Sequence, residues 1–467
     1  MPDQHEAEHR ARYPLGAAVT VAELTADPHP ALRRLRESEP VSWLPATGGW
    51  LVTRADLTEP VLREPAAFTV DDPRFTTARV VGPSMLSLDG TEHRRHRDPF
   101  ARALRSGDTR ARLAEAAQRN AQFLVAALTT AGNEAELRRG LAGQLAVAVM
   151  AEMLGLQVAP AQLLTWYDAI VAGVSALSVA NGPVTPGRSV AAPTAGGPVA
   201  DEPAIGGADA DQAAVAAGQL PGGESARGDG TGRSGKIGRG EGTGRRWNTS
   251  GGDEIVRAAE AAFAELSASV TAALARRGDR SVLTEAAESL PLAEVVSNAA
   301  VLLFGGIETT EGMIGNAVWY LLRDPDAVRE VNADRTLVDA VVEESLRLEP
   351  AAAVVDRYAT ADITLGTASI RRGDLVTVSL AGANRDPQVF ADPDRFDLHR
   401  PNGSRHSAFA VGPHFCIGAQ LARLEATAAV GALLEQLPGL RLDPGRPSSP
   451  QGLVFRKPPS LHVQWDS

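Results

Sequence analysis

The stretch Phe409-Ala410-Val411-Gly412-Pro413-His414-Phe415-Cys416-Ile417-Gly418 decides how this chain is read. Cys416 is the only cysteine in 467 residues. It sits in a loop of small and aromatic residues, and a periodic helix carrying Leu421, Leu424, Ala428, Leu433 and Leu434 follows at once. A thiolate at a helix N-terminus is stabilised by the positive end of the dipole and by amides without intrahelical partners. Gly412 and Gly418 permit tight turns and close approach of a flat group to the backbone. A lone cysteine is, however, more often a small buried hydrophobe. The other motifs decide between these two readings.

Composition narrows the field. Apolar residues make up 44% of the chain, enough for a substantial core spread over two or three ordinary domains or one large one. A net charge of -11 argues against nucleic acid as a partner. One cysteine excludes an internal disulfide, an iron–sulfur cluster and an all-cysteine zinc site within the chain, and it fits a reducing compartment. The polar residues 1–12 lack a hydrophobic signal core, and no run approaches the ~18 apolar residues of a membrane span. A soluble cytoplasmic protein without membrane attachment is expected.

In chain order, 31–38 reads as a short amphipathic helix. Residues 41–44 and 49–52 read as two strands joined by a turn, 56–63 as a helix and 64–87 as a long loop. Asp89-Gly90 marks a turn into a basic helix, on which His93 and Arg97, four apart, share one face. Helices are predicted over 110–131, 141–156, 161–179 and 253–277. Between the last two, 181–252 is rich in Gly, Ala, Pro and Ser and lacks aromatics until Trp247. Such text buries too little surface to offset ordering entropy, so a disordered insertion is expected, with a weak helix near 209–217.

The longest periodic helix runs over 291–323 and contains Phe304-Gly305-Gly306-Ile307-Glu308-Thr309-Thr310. Two adjacent glycines cost roughly 1 kcal/mol each inside a helix, so either close packing or a local opening is needed there. Glu308 and Thr309 place an acid and an alcohol beside that point. An amphipathic helix over 336–349 carries Glu344 and Arg347, three apart. Strands are expected at 363–365, 375–379, 453–455 and 461–463.

The Cys416 loop resembles the haem-binding loop of cytochromes P450, F-x-x-G-x-H-x-C-x-G, in Phe409, Gly412, His414, Cys416 and Gly418. The commonest form has Gly where this chain has Ala410. Residues 305–310 resemble the family's I-helix signature at every position. Glu344-Ser345-Leu346-Arg347 resembles E-x-x-R, and Pro393-Asp394-Arg395-Phe396 resembles the segment that supplies a third member. His93 and Arg97 resemble the H-x-x-x-R pair of the C-helix, Arg357 matches a propionate-binding arginine, and Ala383-Asn384-Arg385-Asp386-Pro387 is typical of bacterial members.

The resemblance covers 13–465, less the 181–252 insertion between the F- and G-like helices. It implies a mainly α cytochrome P450 fold with a small β-domain and a haem-binding core spanned by four motifs. The implied cofactor is haem b, with Cys416 as the iron ligand and the Gly418 amide tuning the sulfur. His93, Arg97, Arg357 and His414 would hold the propionates, beside Phe409. Gly305 would leave room for oxygen and substrate, Thr309 would hydrogen-bond dioxygen, and Glu308 would relay protons. Glu344, Arg347 and Arg395 would form a buried network fixing the segment that leads to Cys416.

The implied reaction is oxidation, most simply hydroxylation, of an apolar or amphipathic small molecule by a monomer. A separate ferredoxin and an NAD(P)H-dependent ferredoxin reductase would supply the electrons. Two alternatives are a peroxide-using peroxygenase of the same fold and a non-enzymatic haem-binding or sensor protein. Glu308-Thr309 argues against the first, and the second would not need a proton relay.

Overall fold

The computed structural model describes residues 4–180, 249–276 and 281–466. The proposed insertion and its weak helix at 209–217 lie outside these residues, apart from the start of a helix at Thr249.

Near the N-terminus the chain folds as its alternation of residues suggests. Strands β1 (Val41–Leu44) and β2 (Gly49–Val52) pair antiparallel, and Gly48, at φ 66°, closes the turn between them. They belong to a five-stranded sheet with β3 (Phe68–Thr69), β4 (Val354–Ala359) and β5 (Leu375–Ser379), in the order β1-β2-β5-β4-β3. Chain-distant β5 lies parallel to β2, so the small sheet joins the first and last thirds of the protein. Trp43 and Trp50 face each other across the hairpin with rings 5.5 Å apart, and Tyr13 meets Trp50 edge-on at 5.1 Å. Around Trp50, Val52, Val61, Val376 and Val378 the sheet builds a core of its own.

The larger core is helical. Its parts are α1 (Gly90–Arg105), α2 (Gly107–Ala131), a single π-helical turn (Arg138–Ala142), α3 (Gly143–Leu154), α4 (Pro160–Ala180), α5 (Thr249–Ala275), α6 (Leu292–Leu322), α7 (Val338–Leu348) and α8 (Ala419–Gln436). Helix α6 packs against α3, α7, α8 and the π turn, which is why its text is apolar nearly all round. Among the described helices it alone is long and apolar enough to cross a bilayer by length and composition, unlike the expectation that no run would qualify. Within that window 56% is buried inside the fold, as befits a central core helix.

The structure corrects three local expectations. The loop at 64–87 holds β3 and a short helix, Thr76–Val81, and buries Val81 and Met85. The helix expected from 141 begins three residues earlier, as the π turn. Residues 453–455 form no strand and make only the bridge Ala352↔Phe455. There the chain doubles back so tightly that a Cβ on Gly452, at φ 120°, would lie on Phe455 O.

Candidate active site

The Cys416 loop is shaped by backbone constraints. Gly412 has φ 78°, and a Cβ there would meet Leu62 O at 2.6 Å, so both conformation and space demand glycine. Ala410 also lies in the left-handed region, at φ 56°. That conformation costs a residue with a Cβ about 1–2 kcal/mol. It is the position where the resembled loop carries glycine, so the departure is a strained residue in an otherwise matching turn. The Cys416 N–H donates to Phe409 O at 2.9 Å, and the Gly418 amide bonds the Cys416 sulfur just before α8 begins. Burial pushes the thiol pKa up, while the Gly418 N–H, Arg97 and Arg423 pull it back. Arg423 lies over the Phe409 ring at 4.5 Å and pairs with Glu343.

Next to this loop the fold gathers the groups predicted from scattered motifs. Arg97, from α1, donates to Phe415 O at 2.5 Å. His93, one turn earlier, packs against His414 with ring centroids 4.3 Å apart and planes tilted by 39°. His414 is held by Asp89 at 2.8 Å, and Asp89 also accepts from Thr69 Oγ1 and the Val70 N–H. Burial works against the Asp89 carboxylate, but those donors outweigh it and hold its pKa at about 2. Burial, reinforced by His414 and Arg97, pushes His93 down to about 4, so its ring is neutral at pH 7. Arg357 is 5% exposed, donates to Asp356 O at 2.7 Å and feels Asp89.

These residues fit a haem. His93 Nε2 is buried without a hydrogen-bond partner, which is costly unless a ligand supplies an acceptor. Arg357 is a buried guanidinium that acts on Asp89 and His414, of the kind that binds carboxylates. The only thiol of the chain belongs to the same loop as His414.

On α6 the two glycines have different reasons. A Cβ on Gly306 would fall 2.2 Å from Met150 Sδ, so this glycine lets α3 approach. A Cβ on Gly305 would meet nothing within 4 Å, so this one faces open space. Thr309 Oγ1 donates to Gly305 O at 2.6 Å, one turn back. Glu308 Oε1 lies 2.8 Å from Lys457 Nζ.

The expected Glu–Arg network exists with one member changed. Arg347, fully buried, donates to both carboxylate oxygens of Glu344 and to the carbonyls of Asn384, Pro393 and Arg395. The third member is Arg400, whose Nε meets Glu344 Oε1 at 2.8 Å. Arg395 is exposed and supplies only its carbonyl oxygen, which also accepts from Arg400. After Phe396 the chain turns back, and the Asp397 N–H donates to Glu344, so the residue five further on reaches the carboxylate.

Sequence reasoning also missed Asp89, read only as a turn former, and the ion pairs of Glu308 and Glu311. A signal for one of them lay in plain view. Lys457, the partner of both, is one of only two lysines in the chain.

Comparisons with known proteins agree with this geometry. A family model described as cytochrome P450 matches residues 271–462. The 20-oxo-5-O-mycaminosyltylactone 23-monooxygenase of Streptomyces fradiae is 46% identical over 149 residues, covering 32% of this chain and 35% of that protein. The chain thus spans about a third of that relative's length. Nocardicin C N-oxygenase of Nocardia uniformis subsp. tsuyamanensis is 30% identical over 466 residues, covering 97% of this chain and 98% of its own. The solved structure of cytochrome P450 CYP109Q5 from Chondromyces apiculatus superposes with a TM-score of 0.71 at 25% identity, covering 97% of each chain. With a near full-length relative, a matching family model and the fold in agreement, this chain belongs to the cytochrome P450 family.

Proposed function

We propose that the protein is a haem-thiolate monooxygenase that oxidises, most simply hydroxylates, an apolar or amphipathic small molecule. The observation that carries this reading is the setting of Cys416. It is the sole thiol, bonded by the Gly418 amide, with His93, Arg97, His414 and Arg357 gathered beside its loop. Bound haem b supplies an iron centre that activates dioxygen and accepts electrons one at a time.

Cys416 would hold that iron as the thiolate, and the Gly418 N–H would take up part of the negative charge on the sulfur, tuning the potential. His93, Arg97, Arg357 and His414 bind the two propionates. Across the site, Gly305 leaves space for oxygen and substrate, Thr309 holds a proton at Oγ1, and Glu308 exchanges it with solvent. The acid–alcohol pair favours dioxygen over peroxide as the oxidant. Glu344, Arg347 and Arg400 fix the segment that leads into the Cys416 loop.

The relatives named above are a 23-monooxygenase and an N-oxygenase, which supports the oxygenase class and leaves carbon and nitrogen centres both open. An apolar substrate is supported by Phe304, beside Gly305, meeting Phe455 edge-on at 5.5 Å, and by Val301 and Leu302 on the same helix. One cysteine cannot hold an iron–sulfur cluster within this chain. We therefore assign electron supply to a separate ferredoxin and NAD(P)H-dependent reductase, acting on a cytoplasmic monomer whose haem domain takes up 13–465.

The haem-loaded protein, reduced and exposed to carbon monoxide, is expected to give a thiolate-type spectrum, and Cys416→Ala to abolish it. A Cys416→Ala protein that binds haem with the same spectrum would sink the reading. Shifts of the haem spectrum across a compound library then identify the substrate class.

A further inference from the structure

Positive charge in this chain is almost wholly arginine: of 46 basic residues, only Lys236 and Lys457 are lysines. Lys236 lies outside the described residues. Lys457 has its Nζ 2.8 Å from Glu308 Oε1 and 3.0 Å from Glu311 Oε1. Glu311 is fully buried, three residues along α6 from Glu308. It also meets Arg138 at 3.0 Å and Arg139 at 3.3 Å, both from the π turn. Arg139 continues to Asp168 at 3.3 Å, near the surface. Gly143 makes room for this group, since a Cβ there would lie 2.9 Å from Glu311 Oε2. Three carboxylates and three cations thus form a balanced chain of charge whose inner end is Glu308.

The main chain under Lys457 is firmly held. Lys457 and Gln451 exchange both backbone hydrogen bonds. Arg456, 2% exposed, donates to the carbonyls of Leu24, Thr25, Pro450 and Gly452 and pairs with Glu349. Asn316 of α6 donates to Arg456 O at 3.0 Å. Only the lysine side chain is left to move.

Like charges three apart on a helix repel, and a cation shared between two such carboxylates offsets the repulsion. An arginine there would present a planar fork that locks both. An ammonium is a compact charge with three rotatable donors on a flexible stem. It can keep Glu311 while releasing Glu308. We propose that Lys457 is the positioning residue for Glu308, holding its carboxylate beside Thr309 and releasing it without movement of the main chain. The role rests on the monooxygenase reading of Glu308. The charged groups facing Glu308 are Lys457 from the C-terminal segment and Glu311 from its own helix, with Arg138 and Arg139 behind Glu311.

A double-mutant cycle tests this on the haem-loaded full chain, reduced by NADPH through a surrogate ferredoxin and reductase, with no added substrate. The readouts are the rate of oxygen consumption and the share released as hydrogen peroxide. Lys457→Met is expected to slow oxygen consumption and to raise the peroxide share several-fold. Lys457→Arg restores the low peroxide share but not the rate. Glu308→Gln raises the peroxide share as far, and the double variant matches Glu308→Gln alone. Additive effects in the double variant, or an unchanged peroxide share in Lys457→Met, overturn the proposal.

A second readout needs neither haem nor Lys457→Met. Lysine labelled with 13C at Cε gives two signals, assigned by Lys236→Arg, and the Lys457 signal is expected to move in Glu308→Gln. An unmoved signal also overturns the proposal. Failure of the wild type to give a thiolate-type spectrum would instead sink the monooxygenase reading and leave the lysine result standing.

Discussion

Two clusters of buried charge flank the site, and they are built from different cations. On the Cys416 side, Glu344 sits between the guanidinium groups of Arg347 and Arg400, and Arg347 commits its remaining donors to three main-chain carbonyls. On the α6 side, Glu308 is held by one ammonium that it shares with Glu311. The first arrangement ties a carboxylate to distant backbone and leaves nothing to rearrange. The second ties two side chains through a third that can pivot. A planar fork suits a place where a segment must stay put, and a single ammonium suits a place where, on the function proposed above, a proton would pass.

The contrast breaks most visibly at Arg347. Arg347→Ala strands a buried carboxylate and three carbonyls, and is expected to lower the unfolding free energy of the haem-free chain by about 3–5 kcal/mol. Lys457→Met removes one ammonium from Glu308 and from the buried Glu311, which keeps Arg138 and Arg139, and is expected to cost less, roughly 1–3 kcal/mol. Denaturant unfolding compares the two, and equal losses would erase the distinction.

Acid tests the support under Lys457. Burial would raise the Glu349 carboxyl, but His29, Arg456 and Arg385 outweigh it and bring it from 4.5 to about 2. A depressed carboxylate stabilises the fold fully above its unfolded pKa, and the contribution is lost as pH falls through the folded value. Roughly 3 kcal/mol is therefore expected to disappear between about pH 5 and pH 2. Unfolding free energies measured across that window should show the loss, and Glu349→Gln should flatten the slope.

The smallest effect has the opposite sign. Ala410→Gly relieves a left-handed residue and is expected to stabilise the protein by about 1 kcal/mol without altering the thiolate-type spectrum. Unfolding midpoints check it, and a loss of stability would show that Ala410 is not strained.

Much of this is legible in the sequence. The hairpin strands at 41–44 and 49–52 have the expected bounds, because Val41, Trp43, Trp50 and Val52 and the short turn specify register locally. Helix α6 and the Cys416 loop announced themselves through glycines placed where a Cβ has no room or where space is left open. What stayed hidden depends on the path of the chain between elements. Arg395 and Arg400 are equivalent on paper, and only the turn after Phe396 brings the second to Glu344. The segment 453–455 has strand-like residues but finds a single bridge, because Gly452 and the buried Arg456 fold it into a tight bend. Glu311 carries no signal of its own in the helical text of 291–323, and two of its cations arrive from a π turn some 170 positions away.

The anchoring of Arg456 to the carbonyls of Leu24 and Thr25 spans sequence separations of 432 and 431 residues. At synthesis rates of about 5–20 residues per second, those carbonyls wait roughly 20–90 s for their partner to emerge. Lys457 cannot take its place between Glu308 and Glu311 before that closure. The Cys416 loop and α8 are complete earlier, so the two sides of the site mature at different times. A nascent protein can fold much of its helical core and still lack this ring closure, which makes the closure a late event of its folding, followed by the pairing of 462–464 with 134–136.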